Sequence, residues 1–228
     1  MLALLYDVHG NLTALDAVIA DARAAGVEGF VLGGDYAMVG AQPLETVSRL
    51  KELEAEWIRG NTERWVADKA EQPDDRFIAA VCDYARAELG ADEAARLNSL
   101  RETLRNRQTL FCHASPRSDM ETFSPDPVPG EEELLAGAGE PMIVFGHSHL
   151  QFTRETAGRV LVNPGSVGLP LDGDPRAAYA LWDGGRSFDL RRVEYDRDGY
   201  LDEVRTRMSP ALGPHVETVV RRIERAAP

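Results

Sequence analysis

The chain reads as an α/β protein with parallel strands, and three observations predict it. Short apolar runs alternate with segments of helical periodicity from residue 2 to residue 58, in the order strand, helix, strand, helix, strand. Each run stops at a charged, amide or imidazole side chain, as a central strand does at its end. The length of 228 residues, with 43% hydrophobic and 28% charged side chains, suits one ordinary globular domain with a sizeable core.

The elements follow in order. Residues 2–8 form the first apolar run. They have no basic flank, and Asp7 and then His9 cut the apolar stretch short, so they read as a buried strand and not as a signal peptide. Leu12, Leu15, Ala17, Val18 and Ile19 follow at helical spacing, and Gly26 closes that helix. Phe30, Val31 and Leu32 make the second run, which leads into Gly33, Gly34 and Asp35. Pro43 opens a second helix with Leu44, Val47 and Leu50 on one face. Trp57 and Ile58 make the third run and lead into Gly60 and Asn61.

Residues 64–108 change character. Ala, Arg, Asp and Glu dominate, with Phe77, Val81, Tyr84 and Leu89 at helical spacings, which predicts two or three helices. This segment is either a lid over a binding site or an outer helical layer. Residues 109–112 are a strand ending at His113. Pro116, Pro125, Pro127 and Pro129 exclude regular structure from the loop beyond it. A short helix at 131–136 precedes a strand at 142–145, which ends in Gly146-His147-Ser148-His149. Short β segments are expected at 152–156, 159–162, 177–182 and 188–193, and one or two amphipathic helices within 197–228. There is no repeat and no linker, so residues 1–228 read as a single domain.

Composition excludes several classes. The net charge of −13 disfavours bulk binding to nucleic acid. Two cysteines, Cys82 and Cys112, make neither a disulfide framework nor a thiolate zinc site, and they read as reduced core thiols of a cytoplasmic protein. No apolar run approaches the roughly 20 residues of a membrane-spanning helix.

What stands at the strand ends is more informative. Asp7, His9, Asp35, Asn61, His113, His147 and His149 each follow an apolar run. In open α/β sheets the ligand site lies beyond the carboxyl ends of the strands, so these seven side chains are expected at one rim. All are metal-ligand types. Seven are too many for one tetrahedral ion, and they suit two ions if a carboxylate bridges. Four of the five histidines belong to this set, and the fifth, His215, has no such context and reads as a surface residue.

The segments Asp7-Val8-His9, Gly34-Asp35, Gly60-Asn61-Thr62-Glu63, His113 and Gly146-His147-Ser148-His149 together resemble the calcineurin-like metallophosphoesterases. The resemblance runs from residue 1 to about residue 190. Residues 163–168 and 172–176 are similar to the small bacterial and archaeal phosphodiesterase branch. The resemblance implies a four-layer α/β/β/α sandwich. One metal would take Asp7, His9, Asp35 and His149, and the other Asp35, Asn61, His113 and His147, with Asp35 bridging. Asp35, Asn61 and His113 are the residues it marks as catalytic.

The implied activity is hydrolysis of a P–O bond by attack of a metal-bridging hydroxide, in a phosphodiesterase. Mn²⁺ is the expected ion, and Fe, Zn, Co or Ni suit the same donors. The expected partner is a small phosphorylated substrate, without a membrane, and a homo-oligomer is compatible with it. Alternatives are a non-catalytic metal-binding interaction scaffold, or a nucleotide or protein phosphatase using the same site. One position departs from the family pattern. Many members carry a histidine after the Gly-Asn pair that protonates the leaving group, and here Thr62 stands there. A hydroxyl is too weak an acid to replace it.

Further residues beside these motifs have two readings each. Asn11 is a helix N-cap or a substrate contact. Thr62 could bond a phosphoryl oxygen. Glu63 supports the ligands or starts a helix. Arg117 is a solvated surface residue or reaches a phosphate. Asn163 is a turn former or supports the site.

Overall fold

A computed structural model describes all 228 residues. In the first sheet β1 (Leu2–Leu5), β2 (Gly29–Leu32) and β3 (Ala55–Trp57) run parallel. On the β1 side, β9 (Ala177–Trp182) and β10 (Phe188–Val193) are antiparallel additions, giving the order β10-β9-β1-β2-β3. The second sheet repeats the plan. Its parallel centre is β5 (Thr109–Cys112), β6 (Met142–Val144) and β8 (Arg159–Asn163). β4 (Thr103–Asn106) and β7 (Phe152–Thr156) are its antiparallel edges, in the order β4-β5-β6-β8-β7.

Alternation along each strand assigns the layers, because successive side chains point to opposite faces. Leu4, Val31, Ala180 and Trp182 of the first sheet meet Phe111, Met142, Val144, Val160 and Val162 of the second in one buried cluster. The alternate residues of the first sheet, Ala3, Leu5, Phe30, Leu32, Tyr179 and Leu181, face the helices. Those of the second sheet, Leu110, Cys112, Ile143 and Leu161, pack under Phe123 and Leu135. The expected layer order is observed. Its fourth layer is thin: residues 131–136 form a 3₁₀ turn, Glu131–Leu135, above the proline-rich loop. The Arg154–Glu131 ion pair, 2.6 Å across, ties that turn to β7.

The helical layer comprises α1 (Leu12–Ala24), α2 (Pro43–Lys51), α3 (Asn61–Ala67), α4 (Arg76–Leu89), α5 (Ala91–Asn98), α6 (Arg197–Leu212) and α7 (Val216–Arg225). Val81, Cys82, Ala85, Leu89, Ala94 and Leu97 of α4 and α5 share one core with Leu15, Val47, Met208 and Val220 of the other helices. No helix is long and apolar enough to cross a membrane.

Residues 64–108 differ from the helical expectation at both ends. α3 begins earlier, at Asn61, and Thr103–Asn106 is a strand. β4 is half-exposed, and its hairpin to β5 turns at Arg107, whose φ is +54°. The Asn-Gly or Asp-Gly pair that advertises such a turn in sequence does not stand there.

Candidate metal centre

The loops after β1 and β2 continue the pairing of their strands. The Asp7 N–H donates to the Gly34 carbonyl (3.1 Å), and the His9 N–H donates to that of Asp35 (2.9 Å). Asp7, His9 and Asp35 are thereby carried to the same rim. The Gly146 N–H donates to the His113 carbonyl (2.7 Å), which joins the ends of β5 and β6 in the second sheet. The two rims meet where the His147 N–H donates to the Asp7 carboxylate (3.0 Å).

Backbone conformation is unusual here. The chain has nine non-glycine residues with positive φ, and five of them are Asp7, His9, Asp35, His147 and His149, with φ between +49° and +66°. Such residues cost about 1–3 kcal/mol each and persist only where the surroundings hold them. Neighbouring glycines allow the close packing. A Cβ at Gly60 would collide with the Asp35 carboxylate, and one at Gly146 with that of Asp7.

All seven strand-end residues converge. Asp7, His9 and His149 offer three ligand atoms within 4.8 Å of one another. Asp35 Oδ2 lies 3.7 Å from His9 Nε2, and its Oδ1 lies 3.4 Å from His113 Nε2. Asn61 Oδ1 sits 2.9 Å from His113 Nε2 and 3.0 Å from His147 Nδ1. Six of the seven are buried, and His147 is partly exposed.

Three imidazoles are held by backbone carbonyls through Nδ1: His9 by Met38 (2.9 Å), His113 by Gly33 (2.9 Å) and His149 by Leu169 (2.6 Å). A carbonyl can only accept, so each Nδ1 carries the proton and each neutral ring aims an Nε2 lone pair inward. His9 Nε2 and His149 Nε2 then face each other 3.0 Å apart. His113 Nε2 likewise faces the Asn61 carbonyl oxygen. Lone pair against lone pair is repulsive, and a cation between them reverses the sign. Asp7 Oδ1, buried and without a hydrogen-bond partner, points to the same need.

At Asp7 and His147 burial and the leading neighbouring charge act in the same sense. Burial, and then the Asp35 charge, raise the Asp7 carboxyl well above its usual range, and burial raises Asp35 too. Burial lowers His9, His113 and His149, and lowers His147 to about 3, with His113 adding to the last. Each shift expresses the cost of charge in a dry site, and a divalent ion there stabilises ionised carboxylates beside neutral imidazoles. No thiolate is within the donor set, since Cys112 packs in the core with burial pushing its thiol up.

The remaining sequence-selected residues sit around this cluster. Glu63 accepts N–H bonds from Asp35 (2.9 Å), Tyr36 (2.8 Å) and Gly60 (2.8 Å), tying the Asp35 loop to the start of α3. The Thr62 N–H donates to Asp35 Oδ1 (3.1 Å), while its hydroxyl is buried without a partner. Asn11 caps α1 through the Ala14 N–H and donates to the Gly168 carbonyl. Asn163 ends β8. It accepts from the Gly165 N–H as a turn former and donates to the Gly146 carbonyl behind His147. Arg117 is 56% exposed and borders a cleft beside His113. His215 tilts its ring against that of Phe77, 6.2 Å between centroids.

Two further residues support the cluster: Ser166, in the 163–168 segment singled out in the sequence, and Tyr36, which carried no sequence signal. The Ser166 hydroxyl donates to the Asp7 carbonyl (2.6 Å) and accepts from the Leu169 N–H (2.8 Å), joining a carboxylate loop to the carbonyl that holds His149. The Tyr36 hydroxyl accepts from the Gly34 N–H (3.1 Å) and donates at the end of β2.

Residues 1–185 match the family model of the calcineurin-like phosphoesterase superfamily domain. The chain belongs to this superfamily. It is similar to an uncharacterised protein of Methanocaldococcus jannaschii, 30% identical over 239 residues that cover 93% of this chain and 96% of the relative. A metallophosphoesterase from Sphaerobacter thermophilus shares the fold with a TM-score of 0.83, at 24% identity over 99% of this chain and 98% of that one. A hypothetical protein from Pyrococcus horikoshii does so with 0.81, at 21% identity over 96% and 98%. Calcineurin-like phosphoesterases are generally metal-dependent hydrolases, and the buried donor set described above fits divalent ions.

Proposed function

We propose that the chain is a two-metal phosphodiesterase acting on a small phosphorylated substrate. One observation supports this reading: the two oxygens of Asp35 lie toward different histidines, Oδ2 toward His9 and Oδ1 toward His113. Asp7, His9, Asp35 and His149 would hold one ion. Asp35, Asn61, His113 and His147 would hold the other. Bound there, the ions supply Lewis acidity at the phosphoryl oxygens and a water of lowered pKa. The oxygen and nitrogen donors suit Mn²⁺, with Fe, Zn, Co and Ni as further candidates.

The chain's own residues do the positioning. The carbonyls of Met38, Gly33 and Leu169 hold three imidazoles in one tautomer and so commit their protons. The Thr62 and His147 N–H groups orient Asp35 and Asp7. None of these groups offers a mobile proton to a departing oxygen, and Thr62 is too weak an acid. The site therefore favours leaving groups that depart unprotonated, such as aryl oxides or phosphates, over the alkoxides of unactivated monoesters.

The test is turnover of bis-aryl phosphate, aryl monophosphate, cyclic nucleotides and a dinucleoside polyphosphate by purified protein with Mn²⁺. Diester turnover exceeding monoester turnover is expected. Asp35→Asn and His149→Ala are expected to reduce it by at least about 10³-fold, and Asp35→Asn to lower the metal content per chain. Two bound ions without turnover on any substrate would identify a scaffold, and a monoester preference would identify a phosphatase.

A further inference from the structure

A cleft of about 270 Å³ opens beside the metal centre, and His113 forms part of its wall. Arg59, Arg64 and Arg117 line it with the hydroxyl residues Thr103, Ser115 and Ser118. The lining carboxylates are Glu102 and Asp119, so three cations face two anions in a chain whose net charge is −13. No Phe, Tyr or Trp lines the cleft, and its wall is charged and hydroxylic apart from the His113 ring and Pro116.

The arginines differ in freedom. Arg64 stands one helical turn beyond Asn61 on α3, and a two-pronged contact to Asp119 (3.0 and 2.9 Å) fixes it as part of the floor. Arg59 is 18% exposed and pairs with Glu102, which is 73% exposed and free to swing into water. Arg117 is 56% exposed, and its nearest carboxylate, Glu133, is 3.9 Å away. Its donors are free and reach water, whereas the one free donor of Arg59, its Nε, is buried. Charge-assisted contacts from arginine to phosphoryl oxygens are the strongest polar contacts such a lining can make.

We propose that this cleft binds a second phosphoryl group of the substrate, linked to the one held at the metal centre. This rests on the phosphodiesterase reading and names its substrate class: molecules with adjacent phosphates. A departing phosphate needs no proton, which agrees with Thr62 in place of an acid.

The experiment compares kcat/KM for a dinucleoside polyphosphate with that for bis-p-nitrophenyl phosphate, in wild type, Arg117→Glu and Arg117→Lys. The ratio is expected to fall by about 10-fold or more in Arg117→Glu and to recover in Arg117→Lys, whereas a fall of less than about threefold overturns the subsite. Binding gives a second readout, by calorimetry of inorganic tripolyphosphate with chelator-treated protein. Wild type is expected to bind and Arg117→Glu to bind about 10-fold more weakly. No binding by wild type overturns the subsite. If wild type turns over neither substrate, the phosphodiesterase reading itself fails. If it turns over the bis-aryl ester with an unchanged ratio, only the subsite falls.

Discussion

At the scale of single residues, the candidate site depends on how its ligands are held as much as on which they are. Glu63 shows this: one buried carboxylate gathers three N–H groups and joins the Asp35 loop to Gly60. Glu63→Gln presents one acceptor oxygen and an amide NH₂ to the same donors, so the loop loosens. Mn²⁺ affinity is expected to fall by about 10- to 100-fold, measured by titration of chelator-treated protein. An unchanged affinity would show that the loop holds without it. His147 gives a pH prediction. Burial, then His113, hold its pKa at about 3, below the usual 6.5, so the unfolded chain binds a proton that the folded chain refuses. Its contribution to metal-free stability is therefore present above pH 6.5 and lost as pH falls toward 3. Chelator-treated His147→Gln is expected to show a flatter pH dependence of urea unfolding across that window, by at most about 1.4 kcal/mol per pH unit. Identical slopes would contradict this. That all seven candidate ligands meet at one rim was legible from their places after apolar runs. Their support was not, because the carbonyls of Met38, Gly33 and Leu169 have no side-chain signature, and nothing in Asp7 or His149 announces a positive φ.

At the scale of elements, local pattern identified strands and helices where a run was apolar throughout or periodic, and failed where it was neither. β5 reads as a strand because every residue is buried, whereas β4 beside it exposes polar groups along an edge. Which sheet a strand joins was also hidden. β8 and β9 both alternate between two apolar faces, yet β8 lies in the second sheet while β9 returns to pair with β1. For α4 and α5 the packing favours an outer layer over a lid. Val81, Cys82, Ala85 and Leu97 are almost wholly buried, and α3, which carries Asn61, packs on α5. Amides of Arg76–Leu89 are thus expected to exchange hydrogen on the timescale of β1 and β5, since they belong to the same core. Much faster exchange across α4 would restore the lid. Leu97→Ala is expected to cost about 2–5 kcal/mol in urea unfolding, because its side chain is almost wholly buried in the helical core.

At the scale of the whole molecule, the apolar clusters and the polar centre are separate devices. The helical core, the intersheet cluster and the outer cluster are built from aliphatic and aromatic side chains and contain no candidate ligand. Removing the ions therefore leaves the drive to fold intact. What removal restores is local: Asp7 and Asp35 buried close together, inward-facing imidazole lone pairs, and five ligand residues in strained backbone conformations. Bound cations relieve the first two and offset the third, so they stabilise the folded chain over the unfolded one. At a free ion concentration about 100-fold above Kd, the linkage gives roughly 2.7 kcal/mol per site. For a chain of this size that is a rise in Tm of about 5–10 °C for one site, and more for two. Scanning calorimetry should show a cooperative transition in chelator, moving upward as Mn²⁺ is added, with a smaller movement in Asp35→Asn, which weakens both sites together. If the chelated chain has no cooperative transition, the centre is part of the folding core. If Mn²⁺ moves nothing, the inward-facing donors do not bind that ion, and the two-metal reading falls with it.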